Sequence, residues 1–248
     1  EDFGLIGVVT IFTGFADVFK ESGFGHALIQ NQKADDRHFS SIFWLNLVVG
    51  FGLMLILMAS APYIAFFFGN KSLKPLTVMA SITIFIGAFN TTQSALLKRE
   101  LAFRTLAFVD FTAAAIASGI AVYLAYLGYG PYALVWQILI FTTVSAMVMW
   151  AITDWHPRFS FDWKAVKELW RFSRNLIAFR IINYFVRRGD NILIGKFVGA
   201  DGLGVYARAY NLMLLPVTQV TQVFRKVMFP AFSKIQDERW RLKSIYLR

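Results

Sequence analysis

Seven long apolar runs, most of them joined by short polar connectors, constrain this chain more than any other feature. They cover Phe3–Phe19, Phe39–Phe68, Leu73–Leu97, Leu106–Leu127, Tyr132–Ile152, Leu176–Val198 and Val205–Val223. A helix crossing the hydrocarbon core of a bilayer needs about 20 apolar residues, so each run is long enough to span. Composition excludes the competing explanation of one large soluble core. The 248 residues are 57% hydrophobic and only 16% charged, too few polar groups to cover a globule. The expected fold class is all-α and polytopic, with about seven transmembrane helices. With no cysteine in the chain, a disulfide scaffold is excluded as well.

The positions of the basic residues test that count. Of 25 Lys and Arg, 18 fall in the connectors after runs one, three, five and seven. Only four, Lys71, Lys74, Lys196 and Arg208, fall on the opposite side, and Arg180, Arg187 and Arg188 lie inside run six. Such a bias places the basic connectors in the cytoplasm. It also accounts for the net charge of +10 without nucleic acid, which is not an expected partner beside membrane spans. No charged leader with a cleavage site precedes run one, so no signal peptide is expected. The start at Glu1 and the end at Arg248 read as those of a piece of a longer protein.

The connector 154–175 is the best boundary, dividing residues 1–153 from 176–248. Within it Trp163, Val166, Leu169 and Trp170 recur at helical spacing, with Lys164, Lys167, Glu168 and Arg171 opposite and Asp162 as an N-cap. This pattern predicts a helix lying in the membrane interface; a solvated linker helix fits it too. A faint repeat appears at an offset of 200, matching Glu1-Asp2-Phe3-Gly4-Leu5 to Asp201-Gly202-Leu203-Gly204-Val205 and Ala27-Leu28-Ile29 to Val227-Met228-Phe229. A parallel repeat of this kind predicts two related lobes.

Run six is the least lipid-like. Arg180, Asn183 and Tyr184, Arg187, then Asp190 and Asn191 recur every three or four residues and so share one helix face. A charge at mid-bilayer costs roughly 2.5–3.5 kcal/mol on the insertion scale, so the stripe must face protein or a wet cavity. It reads as a substrate path, with a structural ion-pair stripe as the alternative. Arg187 and Asp190 have the spacing to neutralise each other, and Arg188 falls beside them. Asp17 and Asp110 are candidate coupling carboxylates, although both sit where interfacial charges also occur. Pro62 and Pro216 lie inside runs two and seven, where proline breaks or kinks a helix. Three scattered histidines without cysteine offer no metal site. No phosphate-binding loop or dinucleotide fingerprint is present either, so no cofactor is expected.

These residues also carry a family resemblance. Glu1-Asp2-Phe3-Gly4-Leu5, Ser22-Gly23-Phe24-Gly25, Ala27-Leu28-Ile29-Gln30, Phe43-Trp44-Leu45-Asn46 and Ala95-Leu96-Leu97-Lys98-Arg99 appear in order. They are followed by Tyr132-Ala133-Leu134-Val135, Asn183-Tyr184 with Arg187 and Asp190, Ile194-Gly195-Lys196, and Phe229-Pro230-Ala231-Phe232-Ser233-Lys234-Ile235-Gln236-Asp237. The chain resembles the oligosaccharide flippases of the lipopolysaccharide and colanic-acid export type, in the multidrug/oligosaccharidyl-lipid/polysaccharide exporter superfamily. The resemblance implies two six-helix lobes around a central cavity, of which this piece holds helices two to eight. Residues 1–153 would be a first lobe lacking its first helix, and 176–248 the start of the second.

It further implies a multi-pass protein of the bacterial cytoplasmic (inner) membrane that flips an undecaprenyl-diphosphate-linked oligosaccharide by alternating access. Its partners would be that lipid-linked oligosaccharide, membrane lipids and other polysaccharide assembly proteins. Arg180 and Arg187 suit a diphosphate, which guanidinium groups pair well. Two alternatives stand beside this reading. A drug or cation antiporter of the same superfamily would favour carboxylates in the cavity. An integral membrane glycosyl-transfer enzyme would need a catalytic acid or base in an outer loop or the cavity, and the outer connectors are short and poor in such groups, so no catalysis is expected.

Overall fold

The computed structural model describes residues 2–22, 24–31, 34–234 and 240. Among them are eight α-helices and no strand: α1 (Asp2–Ser22), α2 (Phe24–Gln30), α3 (Asp36–Phe68), α4 (Leu73–Arg99), α5 (Phe103–Tyr126), α6 (Pro131–Ile152), α7 (Trp163–Phe197) and α8 (Ala200–Lys234). Ile235, Gln236 and Asp237 of the last family motif lie outside the described residues. So do Gly23 of an earlier motif and Arg239, Arg241, Lys243 and Arg248 of the last basic connector.

Local chemistry sets the ends of the helices. Asp35 caps α3 by accepting from the backbone N–H groups of Arg37 and His38 at 3.1 and 3.3 Å. The same helix ends at Gly69, whose φ of 70° is the left-handed cap conformation that glycine adopts without a Cβ clash. Pro131 occupies the first turn of α6, where its missing N–H has no helical partner to lose. Proline breaks neither long helix: α3 runs on through Pro62 and α8 through Pro216.

Among the described residues five helices are long and apolar enough to cross a membrane: α1, α3, α4, α5 and α6. The protein is an all-α polytopic membrane protein. Runs six and seven fold as α7 and α8, each 35 residues long, but they do not reach the same apolarity. Arg180, Arg187, Arg188 and Asp190 lower it in α7, as Arg208, Asn211 and Thr218 do in α8.

Packing then gathers the buried side chains into three clusters among the described residues. α3 and α4 lie antiparallel and close, with Phe51 edge-on to Phe85 at 5.5 Å. A Cβ on Gly50 would come within 2.8 Å of the Ala88 Cβ. α4 also packs on α6, and α5 covers α6 through Ala113, Ala117 and Ala121, a buried small-residue face of the kind that lets membrane helices approach. α1 is central, meeting α4, α7 and α8. Leu5, Val8 and Val9 of α1 therefore share a core with Ile84 of α4, Val135 of α6 and Leu203 of α8.

The segment expected as a separate interfacial helix is continuous with run six, since α7 passes through position 175 without interruption. Its apolar face is divided: Trp163 and Trp170 are exposed, whereas Val166 and Leu169 are covered by protein. Val166 and Leu169 are buried with Phe24 and Leu28 of α2 and Ile42 of α3, and Trp170 stacks on Phe24 at 6.0 Å.

Candidate functional site

The site grows from the contacts of α1, α2 and α8 with α7. Along α7 the packed positions are Ser173, Arg180, Tyr184, Arg188, Asn191 and Gly195, one helical face of buried or half-buried residues. Tyr184 sits at its middle. Its hydroxyl donates to the Ile11 carbonyl of α1, and its ring lies 5.8 Å from that of Phe15. Gly14 makes room for it, since a Cβ there would stand 3.0 Å from the tyrosine oxygen. Asp17 of α1 and Arg188 lie close enough to act on this hydroxyl.

The polar stripe divides in two. Arg180 is half-buried, its Nη2 3.2 Å from His26 Nε2 on α2. Asp190 is half-buried too and accepts from the Tyr206 hydroxyl of α8 at 2.6 Å and from the Asn191 N–H at 2.8 Å. Asn191 itself is buried. Asn183 and Arg187, by contrast, are exposed on the open flank. Arg187 and Asp190, expected to neutralise each other, form no ion pair among the described contacts. Tyr206 and the Asn191 amide take the carboxylate instead.

Asp17 joins this assembly, whereas Asp110 does not. Asp110 is exposed on α5, whose packing partners are α6 and, more lightly, α4. Two residues that mattered were missed by sequence reasoning. Tyr206 stacks against Tyr210 at 5.8 Å with an interplanar angle of 18°, and that four-residue spacing in run seven was the available signal. His26, standing alone in a connector, offered none.

Electrostatically the face carries Arg180, Arg187 and Arg188 against Asp17 and Asp190, an excess of cation. Guanidinium groups present planar forks of donors that match phosphate oxygens. An exposed Arg187 beside an exposed Asn183 is therefore equipped to hold an anionic, hydroxyl-rich ligand. Among the described residues, no cluster of three His, Asp or Glu side chains is placed to hold a metal ion.

At one end of this assembly α1 crosses α8 at backbone contact. A Cβ on Gly4 would lie 1.7 Å from the Ala200 carbonyl oxygen, and one on Gly204 3.0 Å from the Gly4 nitrogen. Beside the crossing, the Arg208 guanidinium sits 3.7 Å over the Phe3 ring.

Compared with known proteins, residues 1–248 match the family described as polysaccharide biosynthesis protein. The chain belongs to this family. Among curated proteins it is similar to the teichuronic acid biosynthesis protein TuaB of Bacillus subtilis, with 30% identity over 95% of this chain and 49% of that protein. It is 27% identical to the succinoglycan biosynthesis transport protein ExoT of Rhizobium meliloti, over 97% of this chain and 49% of the relative. The lipopolysaccharide biosynthesis protein WzxC of Escherichia coli is 24% identical over the same shares, 97% and 49%. The chain thus spans about half the length of the curated relatives it matches. No solved structure matches.

Proposed function

We propose that this chain is part of a flippase that carries an undecaprenyl-diphosphate-linked oligosaccharide across the bacterial cytoplasmic membrane. The observation that carries this reading is the arginine-bearing face of α7. Arg187 stands midway between Leu176 and Val198 and is exposed, a position no helix gives to a charge against lipid without cost. In this reading α7 and α8 cross the membrane as the sixth and seventh spans, and the open flank of α7 lines a wet path between two lobes. The diphosphate engages Arg187 and Arg180, and Asn183 meets the glycan or phosphate oxygens. The prenyl tail stays in lipid. Residues 1–153 form one lobe, 154–175 lead into the second, and 176–248 begin it.

The basic connectors place the Asp2 end of α1 and the Ala200 end of α8 at the outer face. The Gly4–Gly204 crossing then closes that face, so the path is open towards the cytoplasm, where the cargo is made. Asp17, close to Tyr184, is better placed than Asp110 for coupling to an ion gradient. The protein translocates and does not catalyse bond exchange. The relatives' names support the reading: TuaB, ExoT and WzxC are named for the biosynthesis or transport of polysaccharides.

The test is translocation by the full-length protein in vesicles loaded with lipid-linked oligosaccharide, read by lectin access to the outer leaflet. Arg187→Ala and Arg180→Ala are expected to lower the rate at least tenfold at normal protein level and insertion. Unchanged translocation in both variants overturns the role of the stripe.

A further inference from the structure

The segment between α6 and α7 is a strap held on the cytoplasmic end of α3. Two serines of α3 with no exposed surface, Ser40 and Ser41, accept from its backbone: Arg158 N–H reaches Ser40 Oγ at 3.1 Å and Asp162 N–H reaches Ser41 Oγ at 2.8 Å. In return the Trp44 indole N–H of α3 donates to the Arg158 carbonyl at 2.9 Å. Asp36 pairs with Arg158 at 3.3 Å. A connector held by four contacts, three at Arg158 and one at Asp162, is not a loose linker.

Yet this ordered strap turns large aromatic rings outward. Phe159 is 95% exposed, Phe161 53% and Trp163 65%. In water such a cluster would gain more by folding onto the apolar groups nearby, as burial stabilises by about 25 cal/mol per Å². Their place in the fold gives the reason. Phe159 stacks on Trp44 at 5.1 Å, and Trp44 heads a single face of α3 that continues through Val48, Phe51 and Leu55 at helical spacing. Those three residues are exposed and apolar on a helix fit to cross the membrane. The aromatic rings thus extend the lipid-facing side of α3 to its cytoplasmic end, where exposed Lys164 and Lys167 follow within one turn.

We infer that residues 158–164 form an anchor that inserts Phe159, Phe161 and Trp163 into the headgroup–acyl boundary of the cytoplasmic leaflet. Aromatic side chains prefer that boundary, and the neighbouring lysines favour its anionic lipids. The partner is the lipid surface itself. Val166 and Leu169 in the following helical turns are already buried in protein, so the contact with the membrane passes to the strap. The inference rests on the orientation set by the basic connectors, not on the identity of the cargo.

The native chain has no cysteine, which allows site-directed spin labelling of the full-length protein, provided the remainder is cysteine-free or made so. Phe159→Cys and Phe161→Cys would each carry a nitroxide in vesicles of phosphatidylethanolamine and phosphatidylglycerol. Val48→Cys serves as the lipid reference and Glu100→Cys as the aqueous one. The expected result is an oxygen-to-nickel-chelate accessibility ratio several-fold above that of the Glu100 label and approaching that of the Val48 label, at both strap positions. A ratio equal to the Glu100 label at both positions overturns the anchor. Shielding of both labels from oxygen and nickel alike also overturns it, because protein would then cover the rings. Since the readout needs no transport, a failed flippase assay and a failed anchor remain distinguishable.

Discussion

Gly4 and Gly204 face each other across the crossing of α1 and α8, and they are each other's counterparts in the repeat of 200 residues. Two equivalent residues that touch lie on the axis relating their halves, as at any self-complementary two-fold contact. Their surroundings follow the same exchange. Phe3 lies beneath Arg208 at 3.7 Å, and exchanging the halves turns that pair into Leu203 and Val8, which share one buried core. The weak sequence match thus acquires a geometric counterpart.

Because backbone fills the space that a methyl group would need, Gly4→Ala should force the two helices apart. An overpacking cost of about 1–3 kcal/mol is expected, with Gly204→Ala less costly because its nearest contact is longer. Gly119→Ala, with nothing within 4 Å of the new atom, should be neutral or stabilising by helix propensity. Thermal unfolding in detergent checks the ranking. Equal midpoints for Gly4→Ala and Gly119→Ala would contradict the crossing.

The bond from Tyr206 to Asp190 joins α7 to α8 over a short connector. A hydrogen bond to a charged group contributes about 1.5–3 kcal/mol, and partial exposure places this one near the lower figure. A double-mutant cycle of Tyr206→Phe and Asp190→Asn, measured by thermal unfolding, should give a coupling energy clearly above zero. Strict additivity of the two variants would mean that the contact stabilises nothing.

Gln93 has no exposed surface, and neither its amide nitrogen nor its amide oxygen has a hydrogen-bond partner. Burying unpaired polar atoms costs about 1–3 kcal/mol by protein mutational data. Replacement by methionine, similar in length, is expected to raise the unfolding temperature. A fall would show that the amide has a partner after all.

Acid should loosen the start of α3. The hydrogen bond from His38, with Nδ1 at 2.7 Å, holds the Asp35 carboxyl below its ordinary value of 3.8. A carboxylate whose folded value is depressed stabilises the fold fully above its unfolded value, and that contribution is lost as pH falls through the folded value. Hydrogen exchange at the amides of residues 37–39 should therefore separate wild type from Asp35→Asn above pH 3.8, with wild type slower. The two should converge at more acid pH, and a difference independent of pH would disprove the capping role.

The spans were legible because hydropathy is local: each of the five most apolar helices announces itself without its neighbours. The extent of α7 was legible only in part. No Gly or Pro interrupts residues 163–188, which permits one long helix, yet the charged segment before Leu176 pointed to a boundary. Whether Val166 and Leu169 face lipid or protein was not readable, since one apolar stripe satisfies either partner. The same limit applied to Asp190. Spacing within α7 offered Arg187, whereas the fold supplied Tyr206 from across a turn.

That uninterrupted α7 has a mechanical meaning. Its 35 residues make a rod about 52 Å long, footed on the strap beside α3 and carrying Arg180, Arg187 and Arg188 along its shaft. Tilting it by about 10° at the foot sweeps the far end through roughly 9 Å, while the foot itself hardly moves. A small torque at the membrane surface would be geared up into a wide excursion at the opposite face, with the arginines travelling in proportion to their height.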